Sequence, residues 1–309
     1  MKRRQFLESA GIFLGGLFIA GCASDKPDLA PAASGSGPAS DQNRGKVYVG
    51  KNDDPAAALK AAILAAGGLG LVVKEGSKVI IKPNAAWTQT PAVAATTDPA
   101  VVAALVELCK EAGAGQVTVF EHTIDRPSEH VLSVTGIGSA ATKAGARVVT
   151  ASRASDFITL DIPGGKLLKT DTLAREVAEA DVIINVPKAK RHSATELTLS
   201  LKNLMGVNYN RQAWHTGPDL HQYIADYSTA VHVDLTVIDA SRILLTNGPK
   251  GPGETKDPHE IIVAFDPVAA DAYTCRLFDM DPKDVTYIQR AAELGLGEAD
   301  RSKLQIVAA

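Results

Sequence analysis

Between Lys188 and His221 the chain concentrates residues that carry charge, move protons or bind metals. Lys188, Lys190, Arg191 and His192 are followed by Glu196, Lys202, Asn203, His215, Asp219 and His221, with glycine turns at Gly206 and Gly217. Cationic side chains beside free backbone N–H donors recognise an anion. Imidazoles titrate near neutral pH, so a histidine at the same centre can transfer a proton. His192 is the candidate proton-transfer group, with Lys202 and Lys188 as candidate catalytic amines. His192, His215 and His221 could instead meet Asp239 or Asp226 around a transition metal, because imidazole and carboxylate suit zinc, iron or nickel. No HExxH and no His pair at i, i+4 imposes that geometry, so the metal, acid-base and solvated-basic-turn readings all stand.

Other polar residues follow short apolar runs, where ligands bind in an open parallel sheet. Lys82 and Asn84 follow 78–81, Glu121 and His122 follow 116–120, and Asp239 and Ser241 follow 235–238. Lys82 adds positive charge, and Asn84, Asn203 and Asn247 offer orienting hydrogen bonds. Asn247-Gly248-Pro249-Lys250-Gly251-Pro252-Gly253 reads as a loop where Gly248 and Gly251 let backbone N–H groups approach a ligand. Neither Walker spacing nor GxGxxG is present.

The elements that must position these residues alternate. Apolar β-rich runs at 47–49, 78–81, 116–120, 147–149, 181–186, 235–238 and 260–263 read as strands. Helical patterns lie between them, at 54–66, 98–112, 128–144, 171–179, 194–205, 218–229, 267–278 and 284–294. Strand–helix–strand order implies right-handed crossovers and an α/β fold with a mostly parallel sheet flanked by helices, as one domain or as two lobes around a cleft. Asp98-Pro99, Asp266-Pro267 and Asp281-Pro282 each place an N-cap before a first-turn proline. Cys109 and Cys275 fall on apolar helix faces and read as core residues.

Composition narrows the function classes. With 32 Lys+Arg against 35 Asp+Glu, a net charge of −3 and only 5% aromatics, the chain has neither a basic stripe nor a base-stacking platform for nucleic acid. Three cysteines without a CxxC cannot hold an iron–sulfur cluster, so a metal would need His and carboxylate ligands.

The amino terminus reads as an address. Lys2-Arg3-Arg4-Gln5-Phe6-Leu7 precedes an apolar stretch from Gly11 to Gly21 that is too short for a mature membrane span. It resembles a twin-arginine export signal, with an ordinary Sec signal as the simpler alternative. Ile19-Ala20-Gly21-Cys22 resembles a lipobox, which makes Cys22 the lipidated first residue of the mature protein. The expected organisation is a signal at 1–21, a flexible Ala/Ser/Pro/Gly tether at 22–45 and a globular domain at 46–309. The domain would then face the periplasm of a bacterial envelope, held by lipid on Cys22. Ala23, at the position where Asp is associated with inner-membrane retention, favours the outer membrane.

Several motifs together resemble domain-of-unknown-function family 362. They are Ile81-Lys82-Pro83-Asn84, Thr96-Thr97-Asp98-Pro99, Asn185-Val186-Pro187-Lys188 with His192, Leu199-Ser200-Leu201-Lys202-Asn203-Leu204-Met205-Gly206, Asn247-Gly248-Pro249 and Asp266-Pro267-Val268-Ala269-Ala270-Asp271. The resemblance spans 46–309 and implies an α/β domain. Some members carry ferredoxin-like cysteine motifs that this chain lacks, and others carry twin-arginine signals. A fainter likeness, to the amino-terminal domain of nickel-pincer lactate racemases, rests on the separation of a His and a cofactor-bearing Lys resembling that of His192 and Lys202. The expected function is an exported enzyme that binds a small anionic substrate or a metal or organic cofactor. The alternative is a non-catalytic ligand-binding or redox-partner lipoprotein. No feature of the sequence assigns an oligomeric state.

Overall fold

The computed structural model describes residues 42–309. The expected export signal, Cys22 and the expected tether up to residue 41 lie outside it.

In chain order the elements are β1 (Lys46–Lys51), α1 (Pro55–Ala65), β2 (Lys78–Pro83), α2 (Pro99–Glu111), β3 (Gln116–Glu121), α3 (Ser128–Val134), α4 (Ile137–Ala144), β4 (Arg147–Thr150), β5 (Phe157–Asp161) and β6 (Thr170–Ala174). There follow α5 (Arg175–Ala178), β7 (Val182–Val186), β8 (Lys188–His192), β9 (Glu196–Thr198), α6 (Ser200–Asn203), α7 (Arg211–Trp214) and α8 (Leu220–Ser228). The chain ends with β10 (Leu235–Leu244), β11 (Thr255–Lys256), β12 (Glu260–Ala264), α9 (Pro267–Thr274), α10 (Thr286–Glu293) and β13 (Gln305–Ala308).

One mixed sheet runs β13-β1-β12-β10-β7-β2-β3-β4. Strands β10, β7, β2, β3 and β4 are mutually parallel, and β12 is antiparallel to both its neighbours. Strands from residue 46 to residue 308 join this one sheet, so the cleft lies at strand ends and not between two lobes. Successive strand residues face opposite sides, and both sides are covered. Val79, Ile81, Val117 and Val119 pack with α1, α2 and α4, whereas Ile80, Phe120, Ile238 and Ile262 pack with α6, α8, α9 and α10. Each such fully buried aliphatic side chain contributes roughly 1.5–3 kcal/mol. Cys109 and Cys275 are both fully buried, as their apolar faces imply. Asp98, Asp266 and Asp281 accept hydrogen bonds from Ala100, Ala269 and Lys283 backbone N–H groups, capping their helical turns.

Three expected helices differ. The run 194–205 is a β-hairpin followed by a single helical turn, since β8 and β9 pair Lys190 with Thr198 and His192 with Glu196. Leu197, Leu201 and Leu204 still enter one core, so their spacing is satisfied by a strand plus a turn rather than by one helix. Residues 170–174 pair with β5, leaving one helical turn at 175–178. The helix expected at 128–144 breaks at Gly136, whose φ of 74° takes the left-handed conformation open to glycine. Among the described residues, no helix is long and apolar enough to cross a membrane.

Candidate functional site

The floor of the site is built where β2 and β3 end side by side. Ile81 is in register with Val119, so Lys82 and Glu121 emerge together and pair at 2.9 Å, both almost wholly buried. Lys82 Nζ also donates to the Pro83 carbonyl, and Glu121 accepts from the Ala85 and His122 backbone N–H groups at 2.7 and 2.9 Å. Gly206, in the turn after α6, lies directly over this pair. A Cβ there would stand 2.8 Å from Lys82 Nζ and 3.1 Å from Glu121 Oε1.

Three asparagines tie the walls together. Asn203 Nδ2 donates to Asn185 Oδ1 at 2.8 Å, and Asn84 Nδ2 donates to Asn203 Oδ1 at 2.8 Å. Asn84 Oδ1 accepts from Lys190 Nζ at 2.9 Å, and the Ala95 carbonyl accepts a second bond from the same ammonium. These amides therefore orient lysines and strand ends, with Asn84 using both ends of its amide inside the protein. The short helix α6 is held at its start by Asp271, whose two carboxylate oxygens accept from Ser200 N at 2.7 Å and Leu201 N at 3.1 Å. The first two N–H groups of that helix are therefore already satisfied within the protein, which corrects the expectation that free donors there would hold a ligand.

Lys202 projects from α6 into a cleft of about 400 Å³. It is only 8% exposed, and among the described residues its ammonium nitrogen has no hydrogen-bond or ion-pair partner. Lys82, Lys190 and Arg211 line the same cleft, with Trp87, Ile124 and Pro249 also in its lining. Arg211 is fixed by donating to the His122 and Thr123 carbonyls, at 2.5 and 2.8 Å. Lys250 stands 5.4 Å from the centre of the Trp87 ring and 3.6 Å from Asp125, linking the loops after β2, β3 and β10.

Electrostatics invert the expected roles. Burial pushes the Lys202 amine down to about 7, helped by the Arg211 charge. Burial and then the Lys202 charge bring Lys190 to about 7 as well. His192 is pushed down to about 2 by burial and by the Lys202 and Lys190 charges, so its imidazole is neutral across the physiological range. Its Nδ1 accepts from Ala194 N at 3.0 Å, which places the proton on Nε2. His215 lies parallel to it, ring centres 6.4 Å apart, and is shifted down by burial and Lys202. The groups poised near neutral pH are thus Lys190 and Lys202, and not His192.

The proposed four-residue metal set does not assemble. His192 and His215 share the cleft, but His221 packs parallel to Tyr287, ring centres 6.4 Å apart. Asp239 is wholly buried, taking Lys188 Nζ at 2.9 Å, Asp98 N at 2.7 Å and the Ser241 hydroxyl at 2.6 Å. The other carboxylate considered, Asp226, accepts the backbone N–H groups of Lys166, Leu167 and Leu168. Among the described residues, no three His, Cys, Asp or Glu side chains gather to hold a metal ion. The donor set does not fit a metal centre.

Lys188 is likewise a structural partner of Asp239 and not a cleft residue. Asn247, Gly248 and Gly251 serve their own loop. Asn247 Nδ2 donates to the Pro252 carbonyl at 3.1 Å, and a Cβ on Gly248 would fall 1.8 Å from the Arg191 carbonyl oxygen. Gly251 takes a φ of +68°, and a Cβ there would meet Val93 Cγ1 at 2.6 Å. The glycines bring the loop against β8 and the 91–95 turn rather than against a ligand.

Of the expected site residues, Lys82, Asn84, His192, Lys202, Asn203 and His215 line the cleft together. Sequence reasoning missed Arg211 and Trp87 as site residues, and it noted Glu121 and Lys190 at strand ends without giving them a role. Alternation at 188, 190 and 192 was the available signal for Lys190, because on a strand those residues share a face. Arg211 sits on a one-turn helix with no periodic signature.

The family model for "Domain of unknown function (DUF362)" matches residues 79–276, a span that contains every residue lining the cleft. The chain belongs to the DUF362 family. A relative of this DUF362 chain is thylakoid-associated protein sll1697 of Synechocystis, 28% identical over 254 residues, which cover 78% of this chain and 75% of the relative. Among solved structures, the lactate racemase apoprotein of Thermoanaerobacterium thermosaccharolyticum superposes with a TM-score of 0.51 at 12% identity. That match covers 74% of this chain and 56% of the racemase, and it shows a shared fold. A Thermotoga maritima protein solved by structural genomics matches with a TM-score of 0.46 at 11% identity, over 74% of this chain and 60% of its own.

Proposed function

We propose that this DUF362 domain is an enzyme whose cleft binds a small carboxylate- or phosphate-bearing molecule against Lys202 and Arg211. The supporting observation is charge imbalance: Lys82, Lys190, Lys202 and Arg211 line one cleft with Glu121 as the carboxylate among them. A buried cation without a partner is costly, and an anionic ligand offsets that cost. His192 lines the same cleft as a neutral imidazole with its proton on Nε2, a hydrogen-bond donor for the ligand. Anion binding also favours the charged form of Lys202 and Lys190, so it draws protons from solvent.

Calorimetry of the full chain with malonate and with inorganic phosphate tests this reading, using two buffers of different ionisation enthalpy at pH 8. Saturable binding with net proton uptake is expected, weakened about tenfold or more in Lys202→Ala and in Arg211→Ala. No binding of either anion would overturn it.

The same proposal takes the amino-terminal segment as a twin-arginine signal followed by a lipid anchor on Cys22, so the folded domain faces the periplasm. Its support is the residue pattern of 1–22.

A further inference from the structure

Among the three buried cleft lysines, two are committed. Lys82 Nζ has Glu121 and the Pro83 carbonyl, and Lys190 Nζ has Asn84 and the Ala95 carbonyl. Lys202 alone has no such partner among the described residues, although nine-tenths of it is buried and it faces the cleft. A hydrogen-bonded amine presents its protons, whereas an unpartnered amine that loses its proton presents a lone pair. Arg211 lies in the same lining, where it can hold a carboxylate, and so does the Nε2–H of His192. A cleft of about 400 Å³ has ample room for a molecule carrying both functions.

We propose that Lys202 forms a covalent imine with the carbonyl carbon of a 2-oxo carboxylate held in this cleft. The inference rests on the anion-binding reading and names its substrate class. The Nζ lone pair attacks the carbonyl carbon, the carbon–oxygen π pair moves to oxygen, and that oxygen takes a proton to give a carbinolamine. Nitrogen then releases one proton, the hydroxyl takes up a proton and leaves as water while the nitrogen lone pair forms the carbon–nitrogen double bond, and the iminium releases its last N–H proton to give the imine. Amine and ketone thus give imine and one water, with no change of oxidation state. His192, in the same lining with its proton on Nε2, would offer a hydrogen bond to the developing oxygen. The depressed basicity of Lys202 keeps a large fraction of its amine uncharged near neutral pH, as nucleophilic lysines require.

The test treats the full chain with pyruvate and borohydride, which reduces an imine to a stable secondary amine, and locates the adduct by peptide mass mapping. The expected result is one dominant adduct on Lys202, suppressed by malonate and reduced more than about tenfold in Lys202→Met. Mapping on the unsubstituted protein makes the result independent of whether that variant folds. Malonate binding without a Lys202 adduct, or with adducts scattered over surface lysines, would overturn the imine and leave the anion site standing. Failure of both malonate and pyruvate to bind would overturn both.

Discussion

A lysine and a histidine in one buried cleft compete for the same scarce stabilisation of charge. Burial disfavours the cationic form of both, and each lysine charge further suppresses the nearby imidazoles. Histidine starts from a lower value, so His192 is driven below the physiological range while Lys190 and Lys202 are driven into it. This has a consequence for stability. In the unfolded chain Lys190 and Lys202 titrate at the ordinary 10.5, and in the folded chain at about 7. Between those values the unfolded state binds more protons, so stability rises with pH, by up to about 1.4 kcal/mol per unit per lysine. Below about pH 7 both states are protonated and this contribution is lost. Urea denaturation at pH 7 and pH 9 is expected to show the ligand-free protein more stable at pH 9, with a shallower rise in Lys202→Met. An unchanged rise in that variant would mean that Lys202 titrates normally.

Positioning of the reactive amine is a property of the elements around it. The helix α6 is a single turn, too short to hold itself, and its order comes from outside. Asp271 on α9 binds its first two N–H groups, and Asn185 on β7 donates to the Ser200 carbonyl and hydroxyl at 2.9 Å. Burial raises the Asp271 carboxyl to about 8, opposed by those two N–H bonds. In Asp271→Asn only one oxygen remains to accept, and an amide N–H faces a backbone donor. A destabilisation of roughly 1–3 kcal/mol is expected by chemical denaturation, together with weaker malonate binding, although Asp271 does not line the cleft. Full affinity at reduced stability would show that Lys202 is held by the asparagine stitch alone. The hairpin β8–β9 does the corresponding work for His192 and Lys190. Its strands were hard to read because Leu197, Leu201 and Leu204 mimic helical spacing, while Glu196 at φ 57° and the cross-strand pairing make a hairpin instead.

For the whole molecule, the parallel sheet brings residues from distant parts of the chain to one end. If Cys22 carries lipid, the folded domain is tethered to a membrane. In a bacterial host, Cys22→Ser is then expected to move the protein from the membrane fraction to the soluble periplasmic fraction. Retention in the membrane fraction would exclude the lipid on Cys22 as the anchor. The sequence determined by itself the α/β class, most main-sheet strands, the capped helices, the buried cysteines and the motif pattern of the family. Apolar alternation, N-caps and prolines act within a few residues, so local order reveals them. Tertiary structure alone decided which polar residues meet. Lys188 and His192 lie at the two ends of one five-residue strand, yet one closes an ion pair with Asp239 and the other faces the cleft. Glu121 reaches Lys82, and Arg211 joins them, only because parallel pairing sets the strand ends level and the turn at Gly206 passes over them. Whether a charge finds a counter-charge, and how far burial shifts it, depends on that long-range register, which no short stretch of sequence encodes.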